Sequence, residues 1–534
     1  MLRQGLAGGG AEAGEGLEKG PGAGQPGRLE ARLANARVRL RRNWLFAVVF
    51  GLAVVPRVIV MLGFQPAILF KLDTYDYLWD TVHRIPNLAN PGGYSLFLTL
   101  LQPFHSLLLV SGLQHLLGLS VAVMMYAVLR RFSVRRWLAT LATLPLLFSP
   151  SEFLLEQLVM ADFMALLLLM AAFAVLLLRP EPSVGRTLTA GLLMGASAVV
   201  RPTALPLIVL MAGYLLVRRA GWLRVGAVLA AGALPVVIYM AWFDSYNGSF
   251  NITNSNGLFL WSRTMSFADC NIIKPPANLA ELCPNRQRGN GIIQAPPFQR
   301  QQPKYYLWNH RAWLWQEPQP GLVPDTAAFT TANNARAMRF AILAIERQPL
   351  DYVKTVGLDV LHPFFKPNLF VFPAVSQTTV KGLGPVNAAY ALAALKAYTG
   401  SDQGVGKTLG RHFGEQIVEP WAHLVRGYQR FIHLPGPVFG LILVIGFIGI
   451  LIPRRRLAAS GLLITSAVVT VLLPIVEHEY NYRYVIAAVP LACMAAVLAF
   501  RDQPRQAPEL SEPELSEPEP AAPGPEPEPE PASA

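Results

Sequence analysis

Long apolar runs dominate this chain of 534 residues. The two clearest, Trp44 to Gly63 and Leu457 to Ile475, each approach the ~20 residues that an α-helix needs to cross ~30 Å of hydrocarbon. Hydrophobic residues make up 53% of the chain and charged residues only 15%, unlike the composition of a water-soluble protein. We therefore predict a polytopic α-helical membrane protein and exclude a soluble enzyme, a fibre or a fully disordered chain.

The apolar runs predict about ten transmembrane helices. These cover residues 44–63, 111–131, 137–150, 160–178, 187–200, 203–217, 221–242, 435–452, 457–475 and 484–500. Lys and Arg accumulate in the connections that fall on the same side as the Arg-rich amino terminus, and cytoplasmic loops retain positive charge. The protein is thus expected to be a multi-pass cell-membrane protein with both termini in the cytoplasm.

Five regions follow from these spans. They are a basic cytoplasmic arm (1–43), spans one to seven with the outer loops (44–243), an extracytoplasmic domain (244–434), spans eight to ten (435–500) and an acidic tail (501–534). The arm and the Pro/Glu-rich tail hold too few apolar residues to fold and are expected to be disordered. The central stretch has 191 residues, which is enough for a domain outside the membrane.

The net charge of +12 combines two opposite regions. The acidic tail carries −7, because eight Glu and one Asp stand against two Arg, so the rest of the chain carries +19. Such a basic balance suits nucleic acid or an anionic membrane surface. The Arg residues flank the apolar runs and form no stripe interleaved with aromatic residues, so we expect membrane lipid and no nucleic acid as a partner.

The first outer loop carries three acidic residues at helical spacing. If a helix begins at Asp73, then Asp76 and Asp80 share one face with it, while Tyr77 and Leu78 turn elsewhere. Such a face can hold a general base or a divalent metal such as Mg²⁺ or Mn²⁺. The alternative is that Asp73 only caps the helix and that the other two acids are solvated.

The edges of the middle spans carry further ionisable residues. Glu152, Glu156 and Asp162 lie between spans three and four, where carboxylates are costly unless they face water or partners. We predict that they border an aqueous cavity, the alternative being acids placed at a helix start by the helix dipole. Arg201 lies at an outward turn between two apolar spans, against the charge bias, and its planar fork suits a phosphate.

The last outer loop has the sequence His478-Glu479-Tyr480-Asn481-Tyr482-Arg483-Tyr484. We consider Arg483 a candidate ligand of a phosphate, and His478, Glu479 and Tyr482 candidates for substrate binding. The alternative is a belt of Tyr residues at the membrane surface, with an internal Glu and Arg pair.

The cysteine and glycine motifs contribute little to the prediction of function. Cys270 and Cys283 fall together in a polar region, where a disulfide is favoured over two unpaired thiols. Residues 404–408, Gly-Val-Gly-Lys-Thr, look like a phosphate loop, but the first Gly of that motif is replaced by Ser401. No spacing of His and Cys demands zinc.

The order of these motifs resembles the GT-C membrane glycosyltransferases over roughly Trp44 to Phe500. The motifs are the acidic first outer loop, Asn90-Pro91-Gly92-Gly93-Tyr94-Ser95, the acid that opens span four, Arg201-Pro202-Thr203 and Arg483-Tyr484. The nearest parallels are family 39 protein mannosyltransferases, bacterial aminoarabinose transferases and their actinobacterial relatives. The resemblance implies a GT-C-like bundle with a large extracytoplasmic insertion.

The resemblance also implies a polyprenyl-phosphate sugar donor. A hexose or pentose would pass, with inversion, to an extracytoplasmic glycan, lipid or protein acceptor. By position, Asp73 matches the first-loop catalytic acid of the family, and Asp162 or Glu156 matches its second-loop acid. Arg201 matches an arginine that is associated with the donor phosphate. Arg201 and Arg483 would stabilise the departing phosphate while Asp73 removes the acceptor proton.

In this hypothesis Asp76 and Glu156 are supporting acids, and no cofactor is expected beyond a divalent Mg²⁺ or Mn²⁺. Two other functions stay open, namely a lipid or solute transporter or flippase, and a polysaccharide ligase or polymerase. Transporters commonly show internal repeats, and none is evident in this sequence. The glycosyltransferase is therefore favoured.

Overall fold

The computed structural model describes residues 38, 41–70, 73–284, 303–308, 314, 328–365, 371–373, 380–400, 416–451, 458–501 and 524. The segment 404–408 and nearly all of the acidic tail and of the basic arm before Arg41 lie outside the described residues.

The described chain is almost entirely helical. In chain order its elements are α1 Trp44–Leu52, α2 Val54–Gly63, β1 Phe64–Gln65, α3 Asp73–His83, α4 Gly93–Leu101, α5 Leu107–Arg131, α6 Arg136–Phe148, α7 Pro150–Gln157, α8 Ala161–Leu177, α9 Val184–Val200, α10 Leu205–Val217, α11 Trp222–Asn247, α12 Asn256–Thr264, α13 Cys270–Ile273, α14 Pro303–Trp308, α15 Thr331–Arg347, α16 Pro349–Phe365, α17 Val380–Thr399, β2 Gln416–Ile417, α18 Trp421–Phe431, α19 Gly436–Leu451, α20 Ala458–Glu477 and α21 Tyr482–Leu498. Short 3₁₀ turns cover Gln102–Phe104, Pro202–Ala204 and Ala280–Leu282.

The protein is a polytopic α-helical membrane protein. Four helices are long and apolar enough to cross a bilayer, namely the continuous pair α1–α2 together with α5, α11 and α20. The bent pairs α6–α7 (54°) and α18–α19 (57°) bring this number to as many as six, and α8, α9, α10 and α21 are shorter apolar helices. Each of the ten predicted segments coincides with one of these elements, while the number that crosses the membrane stays a prediction.

Close helix packing places the ends of α8 and α9 together. Gly195 of α9 faces the backbone of Gly232 of α11 so closely that a Cβ would overlap the carbonyl oxygen of Gly232, and small residues permit such an approach. The Ser197 hydroxyl of α9 donates a hydrogen bond to the carbonyl of Ala165 in α8 at 2.9 Å. Because α8 and α9 are consecutive antiparallel helices, the beginning of α8 lies beside the end of α9.

The beginning of α21 joins the same region. Phe163 of α8 and Leu155 of α7 form one buried apolar cluster with Tyr482 and Ile486 of α21. The first residues of α8 and α21 are therefore neighbours, although they are more than 300 residues apart in sequence.

The central stretch packs in three different places. Trp261 of α12 and Phe340 of α15 share a buried cluster, beside which Cys270 and Cys283 form a disulfide. Leu395 of α17 packs with residues of α3 instead. Helix α18 packs against α2, where β1 and β2 also pair in a short antiparallel ladder. Whether residues 244–434 form one domain thus stays a prediction.

Candidate active site

Four charged side chains converge where α3, α8, α9 and α21 meet. The Arg201 Nη2 donates a hydrogen bond to Asp162 Oδ2 at 2.6 Å. The Arg483 Nη1 lies 3.9 Å from the same Asp162 oxygen and 3.8 Å from Asp73 Oδ2. The structure therefore brings together Asp73, Asp162, Arg201 and Arg483, the catalytic and phosphate-binding candidates of the sequence.

Local sequence places two of these residues at helix boundaries. Arg201 precedes Pro202, which disfavours the helical conformation of the residue before it, and Arg201 is accordingly extended (φ −143°, ψ 115°) at the end of α9. The side chain of Asn481 accepts a hydrogen bond from the Arg483 backbone N–H at 3.2 Å. This N-cap fixes the start of α21 and with it the position of Arg483.

The two acids lie in the first turns of their helices. Asp73 is the first residue of α3, and Asp162 is the second residue of α8, which begins after the extended residue Met160. A carboxylate in the first turn of a helix is stabilised by the exposed N–H groups of that turn. The same positions bring both carboxylates to the edge of the bundle, beside the two guanidinium groups.

The cluster is enclosed but retains unused donors. The exposed fraction of the side chain is 24% for Asp73, 18% for Arg201, 12% for Arg483 and 7% for Asp162. Among the described residues, the buried Nε of Arg201 and the buried Nε of Arg483 have no hydrogen-bond partner. Guanidinium donors bind carboxylates and phosphates strongly, so the cluster has spare capacity for an anion, and Asp73 is its most accessible group.

Aromatic and sulfur contacts hold the Arg483 guanidinium in place. Its centre lies 5.4 Å from the ring of Phe70 and 5.2 Å from the ring of Tyr484. Its Nη2 donates to the Tyr484 hydroxyl at 3.3 Å, and its Nη1 donates to the Met160 sulfur at 3.8 Å. These contacts restrict the rotamers of a long side chain and so lower the entropy cost of binding.

Tyr77 adjoins the cluster, contrary to the prediction that it turns elsewhere. Its side chain is buried, and its ring contacts the Tyr94 ring edge-on at 5.1 Å. Burial is the main cause that raises the pKa of Tyr77, and the charges of Asp73 and Asp162 raise it further. Tyr77 therefore presents a neutral phenol beside the charged groups.

Asp76 and Asp80 form a separate buried pair. Asp76 accepts hydrogen bonds from Asn90 Nδ2 at 3.3 Å and from the Tyr390 hydroxyl at 3.1 Å, while Asn87 Nδ2 lies 3.5 Å from Asp80 Oδ1. Burial raises the pKa of Asp80, and Asp76 raises it further. Of the three acids of α3, Asp73 is the one that the structure pairs with Arg483, whereas Asp76 and Asp80 bind the amide and phenol groups named above.

The Asn90-Pro91-Gly92-Gly93 segment supports the end of α9. The Gly92 N–H donates to the Tyr239 hydroxyl at 2.8 Å. A Cβ on Gly93 would lie 2.7 Å from the carbonyl of Val199, so only glycine fits at this approach. The segment thereby packs against the turn that carries Arg201.

Glu156 lies in a different buried network, away from the four-residue cluster. It accepts hydrogen bonds from Arg57 Nε and Nη2 at 2.9 and 2.8 Å, and its other contact is His115 Nδ1 at 2.7 Å. Glu152 is also buried, and neither of its carboxylate oxygens has a partner among the described residues. Only Asp162, of the three acids predicted to border one cavity, contacts the arginines of the cluster.

The last-loop residues contact the central stretch. His478 Nδ1 hydrogen bonds with Ser262 Oγ at 3.0 Å, and its ring stacks on Phe259. Glu479 accepts from the Lys304 backbone N–H at 3.3 Å. The Tyr482 hydroxyl donates to the Leu434 carbonyl at 3.4 Å, and a role of these three residues in substrate binding stays a prediction.

Arg263 is a further charged residue of this region that the sequence motifs did not single out. It is buried, pairs with Asp359 at 2.5 Å, and has no partner for its Nε and Nη2 among the described residues. Burial, together with the charges of Arg263 and Arg483, lowers the pKa of His478 to about 3. Arg263 is the only cation between Asp244 and Ile273, and this isolation in the sequence is a signal that could have identified it.

No group of three or more His, Cys, Asp or Glu residues in the described part of the chain has an arrangement that could hold a metal ion.

Comparison with known proteins gives matches only among solved structures. No protein-family model matches the chain, and no curated protein matches it. An oligosaccharyltransferase of Archaeoglobus fulgidus aligns with 85% of the chain at 12% identity and a TM-score of 0.37, and the chain spans only half of that protein. ArnT from Cupriavidus metallidurans aligns with 86% of the chain at 14% identity, over 77% of its own length, with TM-scores of 0.31 in the apo state and 0.29 bound to undecaprenyl phosphate.

These matches are GT-C glycosyltransferases, the superfamily that the sequence motifs resemble. At such identities and TM-scores the alignments carry no argument about the chemistry of this chain. The function of the chain therefore has to follow from its own residues.

Proposed function

We propose that the protein is an integral-membrane glycosyltransferase that moves a sugar from a polyprenyl-phosphate donor to an acceptor hydroxyl. The observation that carries this proposal is the convergence of Asp73, Asp162, Arg201 and Arg483 from four distant parts of the sequence. The charge bias of the loops predicts that this cluster lies at the non-cytoplasmic face. The acceptor, whether glycan, lipid or protein, is left open.

The two arginines suit a phosphate leaving group. Each has an Nε that no described residue uses, and both are linked through one carboxylate, Asp162, which accepts from Arg201 and lies 3.9 Å from Arg483. A donor phosphate would receive hydrogen bonds from these free N–H groups. Because the guanidinium groups are already oriented, little reorganisation is needed when negative charge develops on the phosphate.

Asp73 suits the general base. Its carboxylate is the most exposed of the four groups, and Arg483 approaches it no closer than 3.8 Å, which leaves its oxygens accessible to an acceptor hydroxyl. In the proposed step the acceptor oxygen attacks the anomeric carbon, the bond from that carbon to the phosphate oxygen breaks, and the phosphate leaves with the electron pair. The acceptor proton passes to Asp73, and the configuration at the anomeric carbon is inverted.

The test measures transfer and donor binding separately. Purified protein in detergent is incubated with radiolabelled polyprenyl-phosphate sugars and an extract of extracytoplasmic glycans and lipids, and the labelled product is followed. We expect Asp73→Asn to reduce transfer by about 10²- to 10⁴-fold, the usual contribution of general base catalysis, with donor affinity unchanged. Glu281→Gln, which removes a charge at an exposed ion pair with Arg336, serves as the matched control and should keep normal turnover.

Normal turnover by Asp73→Asn would refute the assignment of the base. Uptake of labelled lipid into the opposite leaflet of vesicles without any product would instead favour the flippase. A deletion strain offers an independent approach, because mass spectrometry of the lipid-linked sugars that accumulate there would identify the donor.

A further inference from the structure

Helix α16 exposes an apolar stripe. It lies within residues 244–434, which the sequence predicts to form a domain outside the membrane. The exposed fractions are 82% for Leu350, 64% for Val353, 52% for Leu358, 49% for Leu361 and 78% for Phe365. These positions are spaced by three to five residues and so lie along one side of the helix. Lys354 and Gly357 are the other exposed residues of this side after Leu350.

The opposite side of α16 carries polar groups that point into the protein. Asp359 pairs with the buried Arg263 at 2.5 Å and with His362 at 3.1 Å. The Tyr352 hydroxyl donates to the Val476 carbonyl at 2.9 Å, and Thr355 is buried. The polarity of α16 is thus the reverse of that expected for a helix on the surface of a water-soluble domain.

Helix α15, which immediately precedes α16, has the ordinary polarity. Its buried residues are Asn334, Ala337, Phe340, Ala341 and Ala344. Its exposed residues include Thr331, Arg339, Glu346 and Arg347. The reversal is therefore specific to α16 and is not a property of the whole central stretch.

The apolar stripe lies next to the membrane-spanning helices. The rings of Phe364 in α16 and Phe439 in α19 stack at 6.1 Å, while the amino-terminal half of α16 contacts the end of α20 through Tyr352. The beginning of α19 and the end of α20 both adjoin the loops that carry the candidate site. Helix α16 therefore lies along that face of the bundle.

The neighbouring helix α19 exposes the same kind of surface. Its exposed fractions are 58% for Leu441, 52% for Val444 and 53% for Phe447, as expected for a helix that faces lipid. Helices α16 and α19 thus contact each other and both expose apolar side chains. Burial of Leu, Val and Phe side chains stabilises a protein, and five such side chains exposed to water would forgo that stabilisation. Large exposed apolar patches therefore indicate a partner.

We propose that α16 is embedded in the bilayer, with its stripe against acyl chains in the leaflet nearest the candidate site. Helix α16 has three charged residues in 17, namely Asp351, Lys354 and Asp359. Because of these charges, hydropathy alone does not identify it as a membrane-embedded helix. Asp359 binds Arg263 inside the protein, and Asp351 Oδ2 accepts a hydrogen bond from Gln348 Nε2 at 2.9 Å. The exposed Lys354 can extend its ammonium to the headgroups.

The experiment uses spin labels on single introduced cysteines in the full-length protein. The natural cysteines do not interfere, because Cys493 is buried and the other two form a disulfide. Val353→Cys and Leu361→Cys lie on the stripe, and Arg339→Cys, on the exposed polar face of α15, is the matched control. In phosphatidylcholine proteoliposomes, the ratio of collision rates with O₂ and with the polar nickel complex Ni-EDDA should be several-fold higher at residues 353 and 361 than at residue 339.

Equal access of Ni-EDDA to all three positions would overturn the proposal. So would low access of both reagents to residues 353 and 361, since protein rather than lipid would then cover the stripe. If a cysteine variant fails to fold, Leu361→Trp provides a second measurement, in which brominated phosphatidylcholine should quench the difference in emission between the variant and the wild type. These outcomes do not depend on sugar transfer, so the two proposals fail separately.

Discussion

Replacement of Glu156 by Gln tests whether this acid is structural or catalytic. Glu156 lies in α7 and is fully buried, and its carboxylate accepts two hydrogen bonds from Arg57 in α2 and contacts His115 in α5 at 2.7 Å. The Arg57 Nη1 also donates to the carbonyls of Ala53 and Leu147 at 3.0 Å. The network therefore fastens the bent pair α6–α7 to two other membrane helices.

The structure predicts a large loss of stability. Glu156→Gln removes the only carboxylate that the described structure gives Arg57, and the three backbone carbonyls that remain cannot neutralise a buried guanidinium. Breaking a buried ion pair from one side costs about 3–5 kcal/mol. We expect that loss in the free energy of unfolding, which corresponds to a change of roughly 10²- to 10³-fold or more in the unfolding equilibrium at 1.4 kcal/mol per tenfold.

The assay is equilibrium unfolding of purified protein in detergent, followed by tryptophan fluorescence. The double variant Arg57→Met/Glu156→Leu should recover most of the loss, because replacing both buried partners by apolar residues is often neutral or stabilising. Glu281→Gln is again the control and should change the unfolding free energy by less than about 1 kcal/mol, as its side chain is 66% exposed.

Two results would refute this reasoning. If Glu156→Gln costs less than about 1 kcal/mol, the network is not an ion pair that the fold needs. If the variant keeps its stability but loses transfer, Glu156 acts on the substrate, as the resemblance to GT-C enzymes allowed, and Asp162 is not the second acid.

Two further predictions concern the candidate site. Arg201→Ala should weaken binding of polyprenyl phosphate by roughly 10- to 100-fold, since hydrogen bonds to charged groups contribute about 1.5–3 kcal/mol each; an unchanged dissociation constant in a titration of the purified protein would contradict it. For His478, the pKa of about 3 in the folded protein lies below its usual 6.5, so the unfolded chain takes up a proton first as the pH falls. Wild type should then lose about 2 kcal/mol of stability between pH 6.5 and 5 through this residue, in addition to the effects of other groups. His478→Gln should lack that component, and identical pH slopes of the two unfolding curves would show that His478 is not held neutral.

Much of the candidate site could be predicted because ionisable residues are rare at membrane edges. Asp73, Asp162, Arg201 and Arg483 stand out in apolar surroundings, and the helix starts and the Pro after Arg201 indicate where each one lies. Distances could not be predicted, since they depend on the packing of α8 against α9 and of α21 against α8. Asp162 and Glu156 are both candidates for the second-loop acid in sequence, with Glu156 as the supporting one, and the structure gives each of them a different partner.

Arg57 and Arg263 show that the sequence does not predict the partners of buried charged residues. Each is a lone cation in an apolar or neutral stretch, so its presence is visible in sequence, but its partner is 99 residues away for Arg57 and 96 for Arg263. Partners at such separations are set by tertiary contacts and leave no local pattern. Tyr77 illustrates the same point. Its position in the helix predicted that it turns away from the acidic face, but the packing of α3 brings it beside the charged cluster.

The sequence by itself determined the membrane class, the positions of the apolar helices and the small set of charged residues near their ends, because hydrocarbon tolerates only helices and excludes unpaired charge. The tertiary structure alone decided which charges meet, which side of α16 is apolar and how the central stretch divides among three parts of the bundle. The reason is physical: hydropathy and helix signals act over a few turns, whereas ion pairs and packing join residues that only the fold brings within a few ångströms.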